Sequence, residues 1–159
     1  MQITLKALFI TAALLVLCAT ATAAQLSPED QLAAAEAEWA MNRPHAYEFS
    51  LKLLACCVIR LTGPDAEPIV FRVENGVGSL TGMWATRLPQ ATQGMDKYST
   101  IDKIFAAIHE ELAKRPDRFE IEYDPIFGYP QRFYVKRFEN AADDDYTLMV
   151  QGFRVVARK

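Results

Sequence analysis

Two adjacent cysteines, Cys56 and Cys57, carry the most reactive side chains of this chain, and they continue an alternating apolar run. In an oxidising compartment such a pair can form a disulfide. A bond between neighbours would strain the backbone, because adjacent side chains in a regular strand point to opposite faces. A strained bond is labile, which suits redox chemistry or contact with a ligand. The same bond would also serve as a structural clip at a strand bend. A third reading keeps both residues as thiols, one of them in the core. The sequence leaves all three open.

A second motif is Asp124-Pro125-Ile126-Phe127-Gly128-Tyr129-Pro130. Asp before Pro favours a turn, Gly128 accepts a positive φ, and Tyr129-Pro130 is a candidate cis bond that would fix the loop in one shape. Phe127 and Tyr129 could then present a rigid aromatic contact surface with Asp124 beside it, since aromatic residues on loops are common contact anchors. The competing expectation is that both rings fold back onto the core and the motif is turn chemistry alone.

Other chemistries lack their parts. Only His45 and His109 are present, neither in a spaced ligand motif, so no metal site and no cofactor is expected. Asp143-Asp144-Asp145 offers the oxygen ligands calcium prefers, but without the spacing of a calcium loop it reads as a solvated turn. No Ser stands in a G-x-S-x-G turn, and no phosphate loop occurs, so no catalytic residue is assigned. The acidic pairs Glu110-Glu111 and Glu120 with Glu122 read as solvated faces.

The N-terminus has the three parts of an export signal. Lys6 supplies positive charge, Ala7 to Leu17 is an unbroken apolar run, and Ala21-Thr22-Ala23 is a small-residue cleavage pattern. Cleavage is expected after Ala23, with Ala24 as the alternative. The run is shorter than the roughly 20 residues of a membrane span. Lipid attachment at Cys18 is disfavoured by the bulky Leu17 before it. Residues 1–23 carry one charged side chain, Lys6, so their loss leaves 16 Lys and Arg against 20 Asp and Glu, a net charge of −4. That mild acidity, without a basic cluster, argues against nucleic acid as a partner. The remainder, 24–159, fits one domain.

The elements that would position these residues are legible from periodicity. Ser27-Pro28-Glu29-Asp30 starts a helix, with Leu32, Ala35 and Trp39 on one face and a stop at Asn42-Arg43-Pro44. Tyr47, Phe49, Leu51 and Leu53 alternate with polar residues, and this strand is expected to run on to Ile59. Ile69 to Glu74 and Val77 to Leu80 flank Asn75-Gly76, a strong hairpin signal. Residues 81–98 read as a long irregular connection. Ser99 to Asp102 opens a second helix, with Asp102 where a capping box puts Glu or Gln. Its stripe is Ile101, Ile104, Phe105, Ile108 and Leu112, and Arg115-Pro116 ends it. Strands are expected at 119–123, 132–138 and 146–157, with a polar turn at 140–145. Connections of hairpin length imply antiparallel pairing. The expectation is an α+β domain, a twisted antiparallel sheet of about five or six strands with two helices packed on one face.

Four features together carry a family resemblance: Tyr47 and Phe49 leading into paired cysteines; Val73-Glu74-Asn75-Gly76; the helix opening Ser99-Thr100-Ile101-Asp102-Lys103-Ile104-Phe105; and Glu122-Tyr123-Asp124-Pro125-Ile126-Phe127-Gly128-Tyr129-Pro130 followed by Asp143-Asp144-Asp145. Over about residues 36 to 155 the chain resembles a family of bacterial exported proteins and lipoproteins known as domain of unknown function 6174. The cysteines depart from that pattern in being adjacent, and the acidic turn departs in ending with Asp145. The resemblance implies export and the fold, and no catalytic residue. The function expected is a non-catalytic binding or interaction module of the cell envelope, periplasmic or secreted, whose partner is a protein, peptide or small ligand. The alternative is a redox or other enzyme using Cys56 and Cys57.

Overall fold

The computed structural model describes residues 26–55, 68–82, 94–141 and 143–157. The export segment, Cys18 and the Cys56-Cys57 pair lie outside the described residues. The order is α1 (Pro28–Asn42), β1 (Ala46–Ala55), β2 (Ile69–Glu74), β3 (Val77–Leu80), a 3₁₀ turn (Met95–Tyr98), α2 (Ile101–Ala113), β4 (Arg118–Tyr123), β5 (Pro130–Lys136) and β6 (Asp145–Val155). The six strands form one antiparallel sheet in the order β3-β2-β1-β6-β5-β4. The two longest strands, β1 and β6, therefore lie at its centre. Two triplets of consecutive antiparallel strands, β1 to β3 and β4 to β6, meet there, and α2 lies between them in the chain.

Side-chain alternation sets the layers. Tyr47, Phe49 and Leu51 of β1, Phe71 and Val73 of β2, Phe133 and Val135 of β5, and Leu148 and Val150 of β6 are buried on one face. Leu32, Ala35 and Trp39 of α1 and Ile101, Ile104, Phe105 and Ile108 of α2 complete the same core cluster. Both helices thus cover one face, and the other carries charged and polar side chains. This is the expected α+β architecture.

β6 departs from simple alternation. Glu48 pairs with Arg154 but Ser50 with Gln151, so Gly152 and Phe153 together oppose one residue of β1. Gly152 takes φ 60° at this bulge. The extra residue resets the alternation and turns Phe153 inward. Trp39, Tyr47, Phe127 and Tyr129 gather around its ring, at centroid distances of 6.0, 5.4, 5.2 and 4.5 Å.

Several boundaries differ from expectation. Thr100, not Ser99, caps α2, its hydroxyl accepting from the Lys103 N–H at 3.1 Å. Asp102 is thereby displaced from the capping-box position. It accepts instead from Trp39 Nε1 at 3.3 Å and Arg43 Nη1 at 2.9 Å, tying α1 to α2. β5 begins at Pro130 and stops at Lys136, two residues earlier at each end than expected. The stretch read as irregular contains the 3₁₀ turn, and 83–93 lie outside the described residues. No described helix is long and apolar enough to cross a membrane.

Candidate functional site

The loop from Asp124 to Pro130 joins β4 to β5 as neighbours. It is held by Asp124 in the manner of an Asx turn. Asp124 Oδ1 accepts from the N–H groups of Ile126 and Phe127 at 2.9 and 2.8 Å, and Oδ2 from Gln131 Nε2 at 3.0 Å. The Asp124 N–H donates to the Tyr129 carbonyl and its own carbonyl accepts from Gly128. No cis peptide bond occurs among the described residues, so Tyr129-Pro130 is trans, contrary to the expectation. Hydrogen bonds within the loop and contact with α1 set its shape instead. At Gly128, φ is 76° and an added Cβ would stand 2.6 Å from the Ala35 carbonyl oxygen of α1. Tyr129 is buried with its ring stacked on Phe153, and Phe127 is half-buried beside it. Burial pushes the Tyr129 hydroxyl pKa upward. Ile126 is the apolar side chain that this loop leaves outermost.

A different set of residues forms a cleft at the far end of the same sheet face. Leu53 and Ala55 of β1, Lys97 and Tyr98 of the 3₁₀ turn, Arg137 after β5, and Asp143 to Tyr146 at the start of β6 enclose about 260 Å³. β1 and β6 place Ala55 opposite Tyr146, so the cleft floor is the end of the two central strands.

Behind it lies Glu111. This residue, read from sequence as part of a solvated acidic pair, is 4 % exposed. Its Oε1 is 2.8 Å from Lys114 Nζ and 3.1 Å from Arg137 Nη2, and its Oε2 is 3.3 Å from Arg137 Nε. Beyond the effect of burial, the same carboxylate lies near enough to Tyr146 for its negative charge to push the Tyr146 pKa upward. Burial alone would raise the Glu111 pKa; the hydrogen bonds and charges of Arg137 and Lys114 outweigh it and hold the carboxyl below its ordinary 4.5. Arg137 is pushed up in turn, first by its hydrogen bond to Glu111. Tyr146 is raised, mainly by burial and then by Tyr98 and Glu111, and stays protonated.

Two rings already carry cations. Lys97 Nζ lies 4.7 Å from the centroid of Tyr98, and the Arg137 guanidinium 5.8 Å from that of Tyr146. The acidic turn is organised by the backbone. Asp144 Oδ2 accepts from the Phe138 N–H, Asp145 Oδ2 from the Tyr134 hydroxyl at 3.4 Å, and Asp144 Oδ1 is buried without a hydrogen-bond partner among the described residues. No three acidic, His or Cys side chains among the described residues converge as metal ligands. His109 bonds Glu36 at 2.8 Å between the two helices rather than serving the cleft.

Sequence reasoning singled out the three aspartates but missed Glu111, Arg137, Tyr98 and Tyr146. Glu111 was read as one of two solvated acids, and Arg137 stands next to Lys136 in a basic pair that names no partner.

Six antiparallel strands, two helices on one face and a charged, tyrosine-lined cleft at the end of the central strands define a small open-sheet α+β domain. The chain belongs to the Family of unknown function (DUF6174), whose model matches residues 31–155. No curated protein and no solved structure matches it.

Proposed function

We propose that this protein is an exported, non-catalytic binding module and that its ligand site is the cleft between Tyr98, Arg137 and Tyr146. The observation that carries this reading is the buried Glu111 carboxylate behind Arg137. Burying an ion pair is a poor way to gain stability compared with apolar packing. What it does supply is a guanidinium held in one orientation, with Nε and Nη2 engaged by Glu111 while the group lines the cleft. The Tyr98 and Tyr146 rings back the Lys97 and Arg137 cations, and Asp143 to Asp145 bring acceptors. A volume of about 260 Å³ is below the 300–1,000 Å³ of drug-sized pockets, so the ligand is a small polar molecule or the end of a peptide with both donors and acceptors. Among the described residues, no general base stands beside a nucleophile in the cleft.

A melting-temperature panel of amino acids, short peptides and simple sugars tests this reading. A true ligand at 100 times its Kd adds about 2.7 kcal/mol of stability. Lys97→Ala, on an exposed side chain, should leave the free protein's melting point in place and reduce the ligand shift. A shift unchanged in that variant counts against the cleft.

A second reading has one observation of its own. Ala55 lines the cleft, and Cys56 is the next residue in the chain. A redox role predicts fast-reacting thiols or a readily reduced bond in a thiol titration of the native protein. Unreactive cysteines would remove it.

A further inference from the structure

Among the described residues the sheet has two unpaired edges, β3 and β4, and they are not alike. β3 is four residues long, and its Gly78 is pressed against the chain entering α2, where an added Cβ would lie 1.9 Å from the Ser99 carbonyl oxygen. β4 has six residues and pairs with β5 without a register shift from Arg118 to Glu122. The Asp117 N–H donates to the Arg137 carbonyl. That bond fixes the parity of the antiparallel ladder, so the N–H and C=O groups of Arg118, Glu120 and Glu122 point away from β5, toward the free edge. Edges are commonly protected by short length, charged side chains or Pro. β4 has no Pro, and its three charged side chains, Arg118, Glu120 and Glu122, are of mixed sign.

We infer that β4 pairs with β4 of a second copy of this chain, antiparallel about Glu120, joining two sheets into one. The sequence is self-complementary in this register. Arg118 of each copy stands opposite Glu122 of the other on the polar face, and Phe119 opposite Ile121 on the helix-covered face. All three outward residues fall on hydrogen-bonding positions, as a two-fold strand pair requires. Glu120 meets its own copy at the axis, but each Glu120 already holds Arg118 Nε at 2.8 Å; Arg132, 3.8 Å from Glu120, is held more closely by Glu122 at 3.1 Å, so Glu122 would share its charge between Arg132 and the partner's Arg118. Phe119 and Ile121 are only half-buried in one copy. They border an open groove of about 560 Å³ running to Leu26 and Pro28, which the partner's edge would cover. Opposite charges across a strand pair stabilise the pairing and like charges directly opposite destabilise it.

The contact is small beside standard interfaces, so association is concentration-dependent and weakened by salt. Sedimentation velocity over roughly 10 µM to 1 mM tests it, since this range brackets weak association. The full chain should dimerise reversibly. Arg118→Glu alone and Glu122→Arg alone each place like charges opposite one another in a self-pair, and each should weaken self-association at least about tenfold. Both residues are exposed, so unchanged melting confirms that the variants fold. Mixed in equal amounts, the two variants regain both opposite-charge pairs and should form a heterodimer. A wild type monomeric at every concentration, single variants that dimerise as well as wild type, or a mixture that stays monomeric would each overturn the assignment.

Discussion

Glu111 shows how one side chain can organise a site it barely reaches. Its carboxylate is closed off from water and receives donors from Lys114 and Arg137. The two ends of the Arg137 pair are not equivalent. Arg137→Met leaves a buried carboxylate with Lys114 as its only cation, whereas Glu111→Gln leaves an arginine that is 41 % exposed and can return to water. Arg137→Met is expected to approach the roughly 3–5 kcal/mol seen when a buried pair loses one partner. Glu111→Gln is expected to cost less, about 1–3 kcal/mol. Urea unfolding of both variants measures the difference, and equal costs would contradict the asymmetry. The pH dependence has a definite sign. Folding holds Glu111 below its ordinary 4.5, so its ionised form stabilises the fold. That contribution is complete above pH 4.5 and is lost as pH falls through the lower folded value. The stability gap between wild type and Glu111→Gln should therefore narrow below that pH.

Among the elements, α2 and the β4–β5 loop carry the sharpest expectations. Phe105 is 3 % exposed within the stripe that packs α2 on the sheet. Phe105→Ala should cost about 3–5 kcal/mol in urea unfolding, and a loss below about 1 kcal/mol would show that this face is not core. Gly128→Ala meets two obstacles. A left-handed backbone costs a residue with Cβ roughly 1–2 kcal/mol. The overlap with the Ala35 carbonyl adds an overpacking cost of about 1–3 kcal/mol. A thermal melt little changed in that variant would mean that the loop does not seat on α1.

These elements also show what a single sequence discloses. Both helices, the Asn75-Gly76 hairpin and the antiparallel β4–β5 pair were readable because each depends on residues close in sequence. Asn75 and Gly76 both adopt positive φ, as that turn requires. The boundary of α2 was not readable, because Asp102 answers to Trp39 and Arg43, about sixty positions earlier. The inward turn of Phe153 needed the bulge at Gly152, for which a glycine inside a strand was the available signal. The cleft depends on α2, the 3₁₀ turn, β1 and the β5–β6 hairpin meeting at one end of the sheet. No local pattern announces that meeting, and so Glu111 read as one of two solvated acids.

At the scale of the whole molecule, the sheet's two ends are built differently. At one end, aromatic rings from α1, β1, β6 and the 124–130 loop pack around Phe153 and fill the space between layers. At the other, the described charged and tyrosine side chains around the ends of β1 and β6 leave a cleft among themselves. A domain serving only as scaffold would gain by closing both ends with apolar packing. If the cleft at the end of β1 and β6 is the binding site proposed above, an NMR titration of the ¹⁵N-labelled protein with the dialysable fraction of a bacterial envelope extract tests it most directly. Perturbed resonances should concentrate at Lys97, Tyr98, Arg137 and Asp143 to Tyr146, and Lys97→Ala should diminish them. Perturbations centred on the 124–130 loop, or none at all across the spectrum, would contradict the proposal.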